Sequence, residues 1–386
     1  MKFKESFIKL EKYIEKEHFK GYDPYDTLNS WIPFKLIGKW GPILATQFQK
    51  RNPVNIRSLI GIKKENNPKA MGLFLQSYSI LYRKTGEKIY LEHAKYFYHW
   101  LVNNYTNGYS GICWGYNFPW ATSTKYYPVY TPSSVVTGFV IRGIYEYYKV
   151  SNDKTALEII FSATRFIRKD LKWTKDETGL CISYTPIIRD LCYNASLLGA
   201  EILAINYKLN CEENSRDQAI AAVNYVLDRQ KTDGVWAYST DINSGEDRMQ
   251  IDFHQGYVLE SIFNILNYTI GKNQESENSL KRGLQYYRNI QFFDNGKSYW
   301  RIPKEYPVEI HNQTQGIITF SRLWPYYPGG PNFANTIAAW TIENMQDDDG
   351  YFYYQKFKTH TNKISYMRWS QAWMLLALTN LITKDE

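Results

Sequence analysis

The segment Gln255-Gly256-Tyr257-Val258 begins an apolar helical pattern that recurs along the chain. Each copy places a glycine, or once an alanine, near the start of such a pattern, and successive copies lie 56 to 66 residues apart. Glycine inside a helix costs about 0.5–1 kcal/mol relative to alanine, so five glycines at one register indicate helices that approach one another closely. A repeat of this length predicts a closed or stacked array of similar units. The copies are centred on Gly72, Gly138, Gly199, Gly256, Gly316 and Ala372.

A second amphipathic helix is predicted after each of the first five copies, beyond a short polar break such as Lys84-Thr85-Gly86-Glu87. These second helices carry more charge than the first ones, which places them in an outer ring. Alternating inner and outer helices predict an all-α fold, an (α/α)6 barrel in which six helical hairpins form a toroid. The predicted outer helices are 88–104, 154–170, 214–230, 275–292 and 331–346.

The two ends of the chain are expected to complete the ring. The predicted inner helix 368–383 has no partner after it, and the amphipathic segment 4–19 has none before it, so we expect the two to pack side by side. Residues 1–386 then form a single toroid domain, since one closed repeat architecture can reach this length.

A second repeat predicts short β-hairpins in the connections. Gln230-Lys231-Thr232-Asp233-Gly234-Val235-Trp236 matches residues 346–352, and residues 291–296 follow with one insertion. Asp-Gly after a helix, followed by alternating aromatic residues, is typical of a turn and a short strand. The triple aspartate 347–349 falls at this turn position, so we expect a turn there and not a metal site.

Composition favours a carbohydrate partner. The chain has 17% aromatic residues, with 34 Tyr, 19 Phe and 12 Trp, and the flat apolar faces of these side chains suit stacking on sugar rings. The net charge of +8 indicates either an anionic substrate or a basic surface without function. No nucleic-acid partner is expected, because no long Lys/Arg block and no nucleic-acid-binding signature is present. The expected partner is an oligo- or polysaccharide.

Other classes of protein are excluded by what the sequence lacks. The four cysteines show no CxxC spacing, so neither a disulfide scaffold nor a zinc site is expected, and no cofactor is predicted. The start of the chain has no apolar stretch of the kind found in signal peptides. No apolar run approaches the roughly 20 residues of a membrane span. The expected localisation is therefore cytoplasmic.

The long connections are expected to share one face of the toroid. Each runs from an outer helix to the next inner helix, and the inner helices present their N-termini on that face. Helix N-termini carry free N–H groups and partial positive charge, which favour anions. Function lies disproportionately on loops held by a rigid scaffold, so this is the predicted active face. The connections are 20–65, 105–131, 171–192, 231–251, 293–311 and 347–367.

Candidate site residues lie in these connections or just before the register positions. Each has a structural alternative: helix capping for Asn194 or Asp252, a turn around Pro24 for the nearby aspartates, a core position for His254, and a loop carboxylate partner for Arg368. The predicted catalytic residues are Asp252, His254, Asp26, Asp23, Tyr193 and His311, and the predicted substrate-binding residues are Trp114, Tyr116, Trp120, Asn194, Gln255, Gln313, Arg368 and Trp369.

This architecture resembles the six-hairpin glycosidase-like superfamily of glycoside hydrolases, unsaturated glucuronyl hydrolases, uronate lyases and glucuronyl C5-epimerases. The segment Gly21-Tyr22-Asp23-Pro24-Tyr25-Asp26 is also similar to a stretch in uncharacterised proteins of exopolysaccharide biosynthesis clusters. The resemblance implies a carbohydrate substrate in a cleft lined by aromatic residues. No complete catalytic signature of the superfamily is matched.

Three functions follow as hypotheses. The first is a glycoside hydrolase of a cell-surface or exopolysaccharide glycan, with Asp252 and Asp26 or Asp23 as the two carboxylates that such chemistry uses. The second is a uronate lyase or C5-epimerase, in which Tyr193, His254 or His311 moves the proton and Arg368 with Asn194 neutralises the carboxylate. The third is a glycan-binding protein without catalysis. Histidines outnumber acids among the candidate residues just before the register positions, which favours the second hypothesis, whereas the size of the family favours hydrolysis. The glycoside hydrolase is the first of these expectations.

Overall fold

A computed structural model describes residues 2–122 and 125–383. These residues form thirteen α-helices, twelve of which alternate between an inner and an outer ring. In chain order the helices are α1 Lys2–Lys16, α2 Trp40–Arg51, α3 Pro68–Thr85, α4 Lys88–Asn103, α5 Ser134–Ser151, α6 Lys154–Lys169, α7 Tyr193–Asn210, α8 Glu213–Asp228, α9 His254–Thr269, α10 Gln274–Gln291, α11 Ile310–Arg322, α12 Gly330–Met345 and α13 Ala372–Ile382.

The inner ring consists of α3, α5, α7, α9, α11 and α13, and each of these helices contacts the next, with α13 returning to α3. The predicted all-α (α/α)6 barrel is therefore confirmed. The inner helices are buried over most of their length, whereas outer helices such as α6 bury one side only. The N-terminal helix α1 packs against α13, where the ring closes. None of the described helices is both long enough and apolar enough to cross a membrane.

Three of the five register glycines, Gly72, Gly256 and Gly316, stand where neighbouring groups approach too closely for a side chain, and Gly138 is in tight contact, with Cβ of Leu198 at 3.0 Å from an added Cβ. A Cβ on Gly72 would lie 2.8 Å from Cα of Val140 in α5, and one on Gly256 would lie 2.5 Å from Cγ of Gln315 in α11. A Cβ on Gly199 would meet nothing closer than 3.4 Å, which is ordinary contact. Close packing around the axis thus accounts for most of the repeat, and Gly199 is the exception.

The glycine turns at the start of three long connections, Asp233-Gly234, Asn295-Gly296 and Asp349-Gly350, dock these connections onto the next outer helix. Gly234, Gly296 and Gly350 have φ of +98°, +87° and +100°, a conformation that favours glycine. A Cβ on Gly350 would lie 2.3 Å from the carbonyl oxygen of Lys9 in α1, and one on Gly234 would lie 2.5 Å from that of Arg282 in α10. The turn before α13 therefore packs on α1 in the same way as the earlier turns pack on α10 and α12. The aspartates 347–349 lie in this turn, as predicted.

Short antiparallel strands link the long connections to one another. Two three-stranded sheets have the orders β5-β6-β7 and β8-β9-β10, and each joins two successive connections, while β1-β2 and β3-β4 are local hairpins. These sheets hold the loops together over the N-terminal ends of the inner helices. The strands are β1 Trp120–Ala121, β2 Tyr126–Tyr127, β3 Trp173–Lys175, β4 Leu180–Ile182, β5 Leu191–Cys192, β6 Ser239–Thr240, β7 Asp247–Arg248, β8 Val308–Glu309, β9 Gln355–Lys356 and β10 Thr361–Asn362.

Residues 20–65, predicted as a long loop, contain the helix α2 and three 3-10 turns. The helix was missed because Gly41 and Pro42 near its start are typical of loops, although proline fits the first turn of a helix. Its apolar residues also follow no buried stripe, since Trp40 and Leu44 are exposed. The segment therefore carries a structured element over the predicted active face.

A buried charge network joins four inner helices inside the ring. Arg142 of α5 forms two hydrogen bonds to Glu201 of α7, at 2.8 and 2.6 Å, and approaches Glu260 of α9 at 3.4 Å. Arg322 of α11 pairs with Glu260 and donates to Asn264, which in turn donates to Glu201 at 3.0 Å. Every carboxylate in the network thus has a cationic or amide partner. The charges tie neighbouring inner helices together.

Candidate active site

One large cavity, with a volume of about 720 Å³, lies at the face formed by the long connections. All six long connections contribute side chains to its wall, as expected if they emerge together. One representative from each connection, in chain order, is Tyr25, Tyr116, Tyr184, Tyr238, Glu309 and Gln355. The cavity is therefore the candidate active site.

The wall of the cavity is strongly cationic. Of the described residues that line it, six are lysine or arginine and two are carboxylates, Asp252 and Glu309. Clefts that present one sign of charge between low-dielectric walls concentrate ligands of the opposite sign. The arrangement favours an anionic ligand. The six cationic residues are Lys50, Arg51, Lys69, Arg248, Arg301 and Arg368.

Asp252 and His254 form a hydrogen-bonded pair at the start of α9. Oδ1 of Asp252 lies 2.5 Å from Nδ1 of His254, and its Oδ2 accepts from Gln250 at 2.9 Å and lies 3.3 Å from Nε of Arg301. Burial raises the pKa of the Asp252 carboxyl, but the neighbouring His254 and Arg301 outweigh burial and leave this pKa below its ordinary value. Asp252 is therefore an ionised partner of the histidine.

The pairing determines which nitrogen of His254 can act on a ligand. An ionised carboxylate only accepts hydrogen bonds, so Nδ1 carries a proton, and in the neutral form of the ring Nε2 is the proton acceptor. The ring lies in the cavity wall and is held by the edge of Tyr238, with the ring centroids 4.7 Å apart. A carboxylate, an oriented imidazole and a free ring nitrogen are the elements of general acid–base catalysis.

Arg368 is positioned in the wall by a buried ion pair with the long segment 20–65. Asp23 accepts from Nε and Nη2 of Arg368 at 2.5 and 2.7 Å, and this pairing keeps the pKa of the guanidinium above its ordinary value against the effect of burial. Asp26 pairs in the same layer with Arg57, which also donates to the carbonyl of Asp23 at 3.0 Å. The two aspartates hold arginines in place beneath the cavity.

Glu309 is a site residue that the sequence prediction missed. It is buried, and its carboxylate accepts from Trp369 at 3.0 Å, from Gln355 at 2.9 Å and from Trp300 at 3.3 Å. Both oxygens of the carboxylate are therefore occupied as acceptors of N–H donors. The residue stands immediately before α11, and this position just ahead of an inner helix is the signal that would have identified it.

Lys69 is the second missed residue, and it lies at the floor of the cavity in the first turn of α3. Its Nζ is 4.2 Å from the ring centroid of Phe139, 5.2 Å from that of Trp373 and 5.4 Å from that of Tyr257. Among the described residues, no carboxylate forms an ion pair with this amine. The sequence signal that would have identified Lys69 is its position next to Pro68 and three residues before the register glycine Gly72.

We expect Lys69 to lose its proton at a lower pH than other lysines. Burial lowers the pKa of its amine well below the ordinary 10.5, and the nearby Arg368 lowers it further. The folded chain then binds fewer protons than the unfolded chain between the lowered pKa and 10.5, so this residue makes the folded state more stable as pH rises through that window. Reductive methylation with isotope-labelled formaldehyde, followed by an NMR pH titration, measures the midpoint.

Lys95 is the matched control for this titration, because Glu92 raises the pKa of its exposed amine. A Lys69→Met variant assigns the resonance. A midpoint for Lys69 at or above that of Lys95 would show that the three aromatic rings hold an ordinary ammonium ion.

Half of the fourteen predicted site residues line the cavity. Tyr116 and Trp120 present aromatic faces: Tyr116 is stacked on Phe118 at 5.1 Å, and Trp120 on Tyr127 at 3.7 Å. Rings fixed in this way offer preorganised surfaces for a sugar. The predicted residues in the wall are Tyr116, Trp120, Asn194, Asp252, His254, Arg368 and Trp369.

Trp114, predicted to stack on a sugar, lies outside the cavity wall: its side chain is fully buried and its Nε1 donates to the carbonyl of Leu101. Gln255 and Gln313, predicted to bind the substrate, also lie outside the wall. Gln255 bonds both backbone polar groups of Trp236, and Gln313 bonds the amide of Ser298. These glutamines anchor the long connections to the inner helices.

Four predicted catalytic residues also lie outside the cavity wall. The hydroxyl of Tyr193 is bonded to Thr240 at 2.5 Å, and His311 is fully buried with Nε2 against the hydroxyl of Tyr257. Burial lowers the pKa of His311 well below its ordinary value, so the ring is neutral. Asp23 and Asp26 are engaged by Arg368 and Arg57 as described above. These four residues support the site and do not reach the cavity.

Sequence comparison finds no matching protein-family model and no matching curated protein. Solved structures match the fold. A cellobiose 2-epimerase from Bacillus thermoamylovorans aligns with a TM-score of 0.64 and 15% identity over 81% of this chain and 87% of its own. A GH76 alpha-mannanase from Bacteroides thetaiotaomicron aligns with 0.63 and 14% over 82% and 86%. An unsaturated glucuronyl hydrolase specific for heparin aligns with 0.61 and 12% over 98% and 95%. The chain thus shares the (α/α)6 six-hairpin fold predicted from its sequence.

Proposed function

We propose that this chain, with its (α/α)6 six-hairpin fold, is a carbohydrate-active enzyme that acts on an anionic, uronate-containing saccharide by proton transfer through His254. The observation that carries the proposal is the Asp252–His254 pair in the wall of a cavity with six cationic side chains and two carboxylates. The titles of the structurally similar proteins name enzymes that act on sugars, which supports the substrate class.

The mechanism follows from the geometry. Nε2 of His254 takes the proton from the sugar carbon next to the carboxylate, and the charge that develops on the carboxylate needs stabilisation in the transition state. Arg301 and Arg368 lie in the same wall and supply positive charge without a proton of their own to lose. Delivery of a proton from solvent to the opposite face of that carbon, while His254 releases its proton to solvent, gives C5 epimerisation. Cleavage of the bond from the next carbon to the glycosidic oxygen, which takes up a proton as it leaves, gives β-elimination and a new carbon–carbon double bond.

Glycoside hydrolysis is the second candidate, because Asp252 and Glu309 both line the cavity. Hydrolysis ordinarily needs one carboxyl group that is protonated and donates to the leaving group. Glu309 accepts three N–H donors, and Asp252 is held ionised by His254 and Arg301. Asp252 is therefore not prepared to donate a proton, and the oxygens of Glu309 are engaged by N–H donors of the protein, so the geometry favours the proton-transfer hypothesis over the hydrolase that the family resemblance favours.

The test is incubation of the purified protein with uronate-containing and neutral glycans in deuterated water. Reducing ends, the ultraviolet absorbance of a new double bond, and deuterium at C5 are followed together. We expect deuterium at C5 or a rise in absorbance on uronate substrates. Reducing ends without either signal would establish hydrolysis instead. Binding of uronate glycans with none of the three signals would leave a glycan-binding protein and contradict an enzymatic role.

A further inference from the structure

Five large apolar side chains next to the cavity mouth project into solvent. Leu36 and Ile37, in the 3-10 turn Phe34–Ile37, are 84% and 71% exposed. Trp40, Leu44 and Phe48 of α2 are 52%, 63% and 66% exposed, and their spacing of four residues aligns them along one side of the helix. Soluble proteins rarely leave a contiguous apolar surface of this kind without a partner. We call these five residues the α2 patch.

The turn and the helix form one continuous surface. A Cβ on Gly41 would lie 2.1 Å from the carbonyl oxygen of Phe34 and 3.1 Å from Cβ of Ile37, so the turn packs directly on the first turn of α2. The helix is anchored from another side, where Thr46 and Lys50 line the cavity. The patch is therefore held in place beside the cavity mouth.

The segment that carries the patch has only positive charges in its sequence. Residues 27–64 contain no aspartate or glutamate. Tryptophan, leucine and phenylalanine on one side of a helix, bordered by lysine and arginine, are typical of helices that lie in the interface of an anionic membrane. The exposed cationic residues of this segment are Lys35, Lys39, Arg51, Lys63 and Lys64.

We propose that the α2 patch binds the surface of an anionic membrane. A second copy of the chain fits less well, because a two-fold contact through this face would bring the cationic residues of both copies together. The association is peripheral, since no described helix can cross a bilayer. Binding in this orientation holds the mouth of the cavity next to the membrane surface, and it does not depend on which reaction the cavity supports.

The test is co-sedimentation with vesicles of phosphatidylcholine containing phosphatidylglycerol, beside vesicles of phosphatidylcholine alone. We expect binding to the anionic vesicles that weakens as salt is raised, because exposed charges are screened. The variant Trp40→Ser/Leu44→Ser/Phe48→Ser should bind at least about tenfold more weakly, since it removes the apolar contact. The variant Lys35→Glu/Lys39→Glu should lose the preference for anionic vesicles.

The matched control replaces three exposed apolar residues elsewhere, in Ile89→Ser/Ile270→Ser/Trp324→Ser. It should bind vesicles as the unaltered protein does. Equal binding by the α2 variant and this control would overturn the proposal, and so would absence of binding to either vesicle. Analytical ultracentrifugation that shows a dimer, lost in the α2 variant, would assign the patch to a second copy of the chain instead.

Discussion

Replacement of His254 by alanine is expected to lower kcat/KM on a uronate substrate about a hundredfold to ten-thousandfold, the usual contribution of a positioned general base. The loss should appear in kcat, because the imidazole acts on the reacting proton and other wall residues retain the ligand. Circular dichroism should be unchanged, since the ring is partly exposed at the cavity wall. Steady-state kinetics and C5 deuterium exchange measure the effect.

Asp252→Asn should show a loss in the same range, because asparagine keeps the volume of the side chain but removes the charge that fixes the proton on Nδ1 of His254. The double variant should be little worse than His254→Ala alone if the two residues act as a unit. His99→Ala is the matched control, since His99 is exposed on the outer helix α4. Full activity in His254→Ala would show that the histidine is not the base, and Glu309 would then be the next candidate for a catalytic residue.

Replacement of Glu201 by alanine is expected to lower the free energy of unfolding by about 3–5 kcal/mol. The change leaves Arg142 buried without the carboxylate that accepts its two hydrogen bonds, and it also removes the acceptor for Asn264. Glu260, at 3.4 Å from Arg142, is then the one remaining carboxylate of the network, and it already pairs with Arg322, so the variant leaves a surplus buried positive charge. Denaturation in urea, followed by circular dichroism, measures the loss.

Glu213→Ala is the matched control, because Glu213 pairs with Arg216 on the surface and is 65% exposed. Surface pairs contribute about 0–1 kcal/mol, so this variant should unfold almost like the original chain. Arg142→Met in the Glu201→Ala background should recover part of the lost stability, because it removes the surplus positive charge and leaves Glu260 to Arg322 alone. Equal stability of the two single variants would mean that water reaches the network and solvates Arg142.

The losses expected in His254→Ala and Glu201→Ala arise in different parts of the molecule, the first at the cavity and the second in the buried charge network. The acid–base pair lies at the N-terminal end of α9, whereas the charge network lies further along the inner helices at Glu201 and Glu260. Because the residues do not touch, loss of stability in Glu201→Ala and loss of turnover in His254→Ala should add independently.

The sequence by itself determined the ring. The register from Gly72 to Ala372 and the glycine turns after the later outer helices are repeated signals, and they result from contacts that most repeats make with a neighbour. Local rules of helix packing and turn formation suffice to interpret such a pattern. The helix α2 was not predicted because it belongs to no repeat and buries no regular stripe of apolar residues.

Only the tertiary structure decided which of the residues near the N-terminal ends of the inner helices face the cavity. His254 and Gln255 are neighbours in the chain, yet the histidine lines the wall and the glutamine anchors a loop, because one residue along a helix turns the side chain by about 100°. Lys69 faces the same cavity from a different repeat, while Trp114 turns into the core. The rotation of each inner helix is set by packing against helices more than fifty residues away, so no local pattern in the sequence records it.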